Sequence, residues 1–429
     1  MACIYSEQSG HYNFAAGPAM LPTDVLAQIR EEMQDWRGSG LSILEHPFTS
    51  SAFKQLMAET DADLRALLEI PSNYRVLFMQ GGASAQFGLL PLNLLRPGQG
   101  ADYLESGHWA RKAIAEGRRH APVNVIASGA DQDFTALPSP AHWRLDPLAG
   151  YCHITSNETA NGLQLQEFPA QPVPLVVDMT SDFLTRPVPV ERFGVIYAST
   201  QKSLGAAGLC VVIVRDDLLQ APPAGLPAAF SYAVQAEQQS RFNTPPTFTL
   251  YVAALMLRWI KQRGGAEAMA TAARQRSALL YRYIDGSDLY HCPQKVQDRS
   301  SINVCYQLAD AGLTEIFLDQ AEQCGLTHLR GHAAFGGVRA SLYNAMPVSG
   351  VQQLVDFMSD FEQGDGRENG QNRTLSMRPV RLRCTSTGRS RRAYVGFWFH
   401  CSPNPIFTIQ AAPNATRSFQ NDTLPACQA

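Results

Sequence analysis

GVIYASTQKSLGAAGLCVVIV, residues 194–214, places a lysine between two strand-like runs. The runs GVIYAS (194–199) and LCVVIV (209–214) are short, rich in β-branched residues and bounded by turn residues, as buried strands are. Between them, Ala198-Ser-Thr-Gln-Lys202-Ser-Leu-Gly205 reads as a Gly-containing turn. α/β proteins bind ligands outside the carboxyl ends of their strands, so Lys202 is expected to project into such a cleft. Its amine can form a Schiff base with an aldehyde cofactor and later move a proton. A lysine in a turn is, taken singly, an ordinary surface residue, so the reading rests on its surroundings.

Upstream, PLVVDMTSD (174–182) puts Asp178 directly after another buried-type strand. An acid there can pair with a protonated pyridine nitrogen and keep the ring an electron sink. Taken singly, it is equally a turn or cap residue. Further upstream, VLFMQGGASAQF (76–87) passes from strand to helix through Gly81-Gly82-Ala83-Ser84. Small residues there let backbone N–H groups at a helix N-terminus approach a phosphate. Trp109, in ESGHWARKAI (105–114), can stack on an aromatic cofactor. The order is phosphate turn, aromatic, Asp after a strand, then Lys about 24 residues later. That order fits the fold-type-I pyridoxal-phosphate enzymes.

The chain has 429 residues, 45% apolar and 17% charged, with net charge −3, ordinary for a soluble globular protein. Nothing global points to nucleic acid or a membrane, and no metal site is expected. Nine scattered cysteines without a CxxC pair suit reduced thiols, and the N-terminus does not read as a signal peptide, so the expected location is cytoplasmic. Apolar runs alternate with amphipathic segments, which predicts an α/β large domain over 13–264 with a mostly parallel sheet. TFTLYVAALMLRWIKQRGG (247–265) predicts a long helix stopped by the Gly pair. A smaller α+β domain is expected over 265–362: a helix at 266–284, strands SINVCY (301–306) and VRASLY (338–343), and helices at 313–325 and 348–362. Residues 363–429 hold nine Arg, no Lys and three acids, a net +6 that leaves −9 on the rest. Their polar, Pro- and Gly-rich composition predicts a disordered basic extension.

Several stretches make the likeness closer. From about Tyr12 to Glu362 the chain resembles the phosphoserine aminotransferase family, in class V of the aminotransferases. The resemblance is carried by NFAAGPAMLP (13–22), GGASAQF (81–87), HITSNETANG (153–162), VDMTSD (177–182), FNTPPTF (242–248), RSSINV (299–304) and GGVRASLYNAMP (336–347). It implies fold type I: a seven-stranded-type sheet with helices on both faces. It implies pyridoxal 5'-phosphate carried on Lys202, with Asp178 at the pyridine nitrogen, Trp109 on the ring and Thr159 at the ring hydroxyl. Ala83, Ser84 and Gln201 would hold the phosphate, joined by Asn243 and Thr244 from a second copy in a homodimer with shared active sites. Arg339 would fork onto the substrate α-carboxylate. The family takes an amino group from glutamate to 3-phosphooxypyruvate, in serine and also pyridoxine synthesis.

Two positions depart from the family pattern. A His-Arg pair is usual near residue 48, where LEHPFTSSAF (44–53) has Phe48-Thr49. A second basic pair follows the Gly of LRGH, where His332-Ala333 stands. Thr49 and His332 thus occupy positions expected to face the substrate's distal anion, with two basic donors missing. His46 stands two positions early and is a candidate substitute. Each such donor contributes about 1.5–3 kcal/mol. Two readings stay open: a phosphoserine enzyme, or a paralogue acting on a phosphate-free 2-oxo acid. A third, a cofactor-binding protein without turnover, is opposed by the joint presence of Lys202, Asp178, Trp109 and Arg339.

Overall fold

The computed structural model describes residues 11–221 and 225–365. The expected disordered extension over 363–429 lies outside the described residues from 366 onward, while its first three residues belong to a π-helical turn, Phe361–Asp365. The principal sheet has seven strands: β1 (Tyr74–Gln80), β2 (Ala101–Glu105), β3 (Val123–Ser128), β4 (Cys152–Thr155), β5 (Leu175–Asp178), β6 (Phe193–Ser199) and β7 (Leu209–Arg215). Their spatial order is β1-β7-β6-β5-β4-β2-β3. β7 runs antiparallel to both neighbours, and every other pairing is parallel. The reason is connection length. Only residues 200–208 separate β6 from β7, and a parallel return needs a crossover of about a dozen residues or more.

The helices of this region are α1 (Thr23–Glu32), α2 (Ser51–Leu68), α3 (Ala83–Leu94), α4 (His108–Gly117), α5 (Tyr232–Glu237) and α6 (Thr247–Gln262). Successive strand residues face opposite sides of a sheet, so a strand covered on both sides must be apolar throughout. Ile196 and Ala198 of β6 join Ile213 of β7 in a core with α2 and α6. Val195 and Tyr197 face the other way, into a core with Phe87 and Leu90 of α3 and Ile114 of α4. α6 stops before Gly264, whose φ of 96° suits only glycine comfortably.

The remaining helices are α7 (Gly265–Asp285), α8 (Thr314–Gln323) and α9 (Val348–Asp360). With the antiparallel strands β8 (Tyr290–His291), β9 (Asn303–Leu308) and β10 (Val338–Ser341) they enclose a second core. β9 begins two residues later than its apolar pattern predicts. The Ser300 hydroxyl accepts from the N–H groups of Ile302 (3.0 Å) and Asn303 (2.9 Å), a turn that keeps 301–302 off the ladder. Residues 12–14 are stitched into this core: Tyr12–Asn13 pairs in parallel with Leu326–Thr327, and Tyr12 and Phe14 are buried there.

The two-sided burial of β6 sets a test. Ile196 is fully buried, and Ile196→Ala should cost about 2–5 kcal/mol, read as a lowered urea midpoint at unchanged slope. An unchanged midpoint would show that β6 is not packed on the face toward α2 and α6.

Candidate active site

β1, β2, β4, β5 and β6 all run the same way, so their carboxyl ends meet along one edge of the sheet. Each delivers a piece of one cavity. β1 leads through Gly81 (φ 96°) and Gly82 into α3 at Ala83. Gly82 caps α3 without any side-chain hydrogen bond. The first N–H groups of that helix therefore face the cavity uncapped. β5 ends at Asp178, β6 leads to Gln201 and Lys202, and the turn after β4 carries Thr159. Ala83, Ser84, Trp109, Thr159, Asp178, Gln201 and Lys202 line this one cavity, together with Thr155, Asn157, Thr180 and Ser181. A larger cavity lined by Lys54, Arg65, Arg75 and Arg241 lies elsewhere and includes none of these groups.

Lys202 is buried, and its Nζ donates to Thr159 Oγ1 at 2.5 Å. The Trp109 ring lies 5.8 Å from that Nζ. Asp178 is also buried and accepts from the Thr180 N–H at 2.9 Å. Burial pushes the Asp178 carboxyl up, and the charge on Lys202 opposes that push. For Lys202 burial dominates over attraction to Asp178 and brings the amine from 10.5 down to about 8.

The remaining expected residues sit outside the cavity. Arg339, on β10, has a buried Nε without a hydrogen-bond partner, and its charge acts on both Lys202 and His332. Thr49 is exposed in the turn before Ser50, which caps α2, while Phe48 packs on the first core. His46 is engaged elsewhere, edge-on to Trp36 (4.6 Å) and 3.0 Å from Ser39 Oγ. Asn243 accepts from Gln235 (3.3 Å), and the Thr244 carbonyl accepts from Gln80. Neither lines the Lys202 cavity within its own chain.

The chain matches the class-V aminotransferase family model over residues 11–354. It is 48% identical to phosphoserine aminotransferase of Nitrosomonas europaea over 360 residues, covering 82% of this chain and 98% of the relative. The chain belongs to the phosphoserine aminotransferase family. Among solved structures, phosphoserine aminotransferase from Bacillus circulans subsp. alkalophilus superposes with TM-score 0.81 at 41% identity, covering 82% of this chain and 98% of that one. The pyridoxal-phosphate-bound phosphoserine aminotransferase of Trichomonas vaginalis gives 0.78 at 35%, covering 81% and 99%. The fold is thus fold type I, and the protein is a pyridoxal-phosphate-dependent transaminase.

The family's cofactor fits what lines the cavity. Trp109 Nε1 and Thr155 Oγ1 are buried there without partners, and buried polar atoms normally have them. An uncapped helix N-terminus stands ready for a phosphate, and an amine and a carboxylate for a pyridine aldehyde. One residue that organises the site was not singled out from the sequence. Glu158 is buried, and its carboxylate accepts from the N–H groups of Trp109 (2.9 Å) and Ala110 (2.8 Å) and from Ser106 Oγ (3.2 Å). It caps α4 from a distance and holds Trp109 at the cavity wall. Burial raises its carboxyl to about 7. A Cβ on Gly107 would come within 2.7 Å of the Glu158 carboxyl carbon, so that glycine makes room for the cap. The sequence carries no local signal for Glu158: TSNET is polar, and only the fold shows residues 151–165 buried without a break, where an acid needs donors.

The lowered Lys202 amine is directly measurable. The neutral amine is the nucleophile, and its fraction grows as pH rises through the folded-state value. Borohydride trapping of unphosphorylated pyridoxal on Lys202 of the cofactor-free protein should be half-maximal near pH 8. A midpoint near 10.5, the ordinary lysine value, would mean that Lys202 is solvated.

Proposed function

We propose that this transaminase moves the amino group of L-glutamate to 3-phosphooxypyruvate, forming O-phospho-L-serine and 2-oxoglutarate. The observation that carries the proposal is Lys202 and Asp178 in one buried cavity beside Trp109, within a chain that spans nearly the full length of phosphoserine aminotransferase relatives. When bound, pyridoxal phosphate supplies an aldehyde and an electron-withdrawing ring. The protein's residues supply the rest. Lys202 Nζ holds the cofactor and moves the proton at the substrate's α-carbon. Asp178 keeps the pyridine nitrogen protonated, and its burial strengthens that interaction. Trp109 stacks on the ring, and Thr159, already bonded to Lys202, orients the ring hydroxyl. The N–H groups at Ala83 and Ser84 hold the phosphate with Gln201.

Asn243 and Thr244 stand apart from the cavity of their own chain, which supports their reaching the phosphate of a second copy in a homodimer. Arg339 takes the α-carboxylate. His332 faces the distal anion, while exposed Thr49 brings only a hydroxyl to a position where the family has a base. Among the described residues no helix is long and apolar enough to cross a membrane. Among the described residues five cysteines are free, which supports a reducing cytoplasmic setting for serine synthesis and, by the same resemblance, pyridoxine synthesis.

Lys202→Ala should remove both the cofactor's protein-bound absorbance and transamination. Sustained turnover in that variant would mean that another amine carries the cofactor. The substrate is tested on the unaltered protein by the bleaching of the cofactor absorbance. O-phospho-L-serine should act with a kcat/KM at least tenfold above that of L-alanine. Equal values would favour the phosphate-free substrate to which Thr49 and Ala333 point.

A further inference from the structure

A basic cluster surrounds Trp109. His108 opens α4, and Lys112 lies one turn further along the same face. The Lys112 Nζ sits 5.2 Å from the centre of the Trp109 ring, so that ring lies near two ammonium groups, those of Lys112 and Lys202. The His108 ring meets the His332 ring with centroids 4.2 Å apart. His332 Nδ1 accepts from the Ala334 N–H at 3.1 Å, which leaves Nε2 as its free donor. Arg339 acts on His332 from β10. The charged groups acting on this histidine pair are Lys112 and Arg111 from α4 and Arg339 from β10. Two carboxylates stand nearby but are engaged: Glu105 pairs with Arg111 at 3.5 Å, and Glu158 accepts from the Trp109 and Ala110 N–H groups and from Ser106 Oγ. Lys112 and Arg339 are in no ion pair among the described residues, and cations so placed form a site for an anion.

We propose that Lys112, His108 and His332 form the subsite for the substrate's distal oxyanion, replacing the basic donors missing at positions 49 and 333. The inference rests on the proposed function and adds two residues of α4 that the sequence reading left unassigned. The ligand is an amino acid with a second oxyanion: the phosphate monoester of O-phosphoserine, or the side-chain carboxylate of glutamate. In the free protein both histidines are held below their ordinary value. Burial is the first cause, followed for His108 by His332, Lys112 and Arg111, and for His332 by Arg339 and Lys112. A bound oxyanion reverses the balance and favours the protonated rings, so substrate binding takes up protons and weakens as pH rises.

The experiment uses the cofactor-loaded enzyme and three amino acids: O-phospho-L-serine, L-glutamate and L-alanine. For Lys112→Gln and for His108→Asn, the ratio of kcat/KM for O-phosphoserine to that for L-alanine should fall roughly tenfold to a hundredfold. Most of the fall should lie in KM. Lys112→Arg should keep the ratio within about threefold of the unaltered enzyme. Glutamate falling in parallel assigns one subsite to both oxyanions, and glutamate unchanged confines it to the phosphate. Unchanged cofactor absorbance and Trp109 fluorescence in the variants would show the ring stack intact. Independently of turnover, the imidazole NMR signals of His108 and His332 should shift toward the protonated form on adding O-phosphoserine. If the unaltered enzyme prefers O-phosphoserine and both variants keep that preference, the subsite proposal is overturned while the proposed function stands. If the unaltered enzyme shows no preference, the proposed function itself fails.

Discussion

The site is built around a buried ammonium. A charged amine removed from water is costly unless partners replace the lost solvation, and Lys202 sits at the end of a strand buried on both faces. Its partners are few: the Thr159 hydroxyl, the Asp178 carboxylate and the face of Trp109. Each must be placed by the backbone rather than by a flexible side chain. Asp178 is the last residue of β5, next to β6 in the sheet. Thr159 lies on the turn after β4, and Glu158 beside it caps the helix that carries Trp109. The lysine's requirement for partners therefore runs through three consecutive sheet strands into α4.

The same requirement explains the polar interior. The Ser156 hydroxyl donates to the Asp182 carboxylate and shares its proton with the Asp178 carbonyl 3.0 Å away. Asn157 donates to Ser181 Oγ and to Asn303 Oδ1, each at 2.8 Å. Such a network is tolerable in a low-dielectric interior only when its members are satisfied, and then it is rigid. Rigidity suits a site whose amine must stay near the reactive carbon of the substrate.

Much of the sheet was legible because β1, β5, β6 and β7 are apolar on both faces and flanked by turn residues. The edge-side strands β2, β3 and β4 were not read as strands, for a physical reason. β2 contains Asp102, buried against Asn124 and the Asp146 N–H. β4 contains His153, which bonds the Tyr197 hydroxyl at 2.9 Å. β3 is only partly buried. Polar residues satisfied by distant partners break the apolar pattern that local reading depends on. Lys202 and Asp178 were legible for the opposite reason: each sits where an apolar strand stops. Glu158 was not named, because its role depends on a helix that begins fifty residues earlier in the chain. Asn243 and Thr244 were reached by resemblance alone, and a single chain leaves them outside the cavity.

Arg339 poses the remaining geometric problem, since it belongs to the second core while Lys202 belongs to the first. The two are joined by side chains rather than by a shared sheet. Asn303 on β9 accepts from Asn157 and donates to Ser341 on β10 at 3.0 Å, and Ser300 donates to Asn157 at 2.6 Å. β10 thus takes its position from the polar turn that also orients Thr159. The unpartnered Arg339 Nε is the open end of this arrangement. A guanidinium with a buried donor left free is held ready for a carboxylate, and ligand binding satisfies a group that folding leaves unsatisfied. On the proposed roles, the α-carboxylate would meet a donor fixed by the second core, and the distal anion would meet α4, fixed to the first core through Glu158. Both ends of the substrate would then be read by elements that share one buried polar turn.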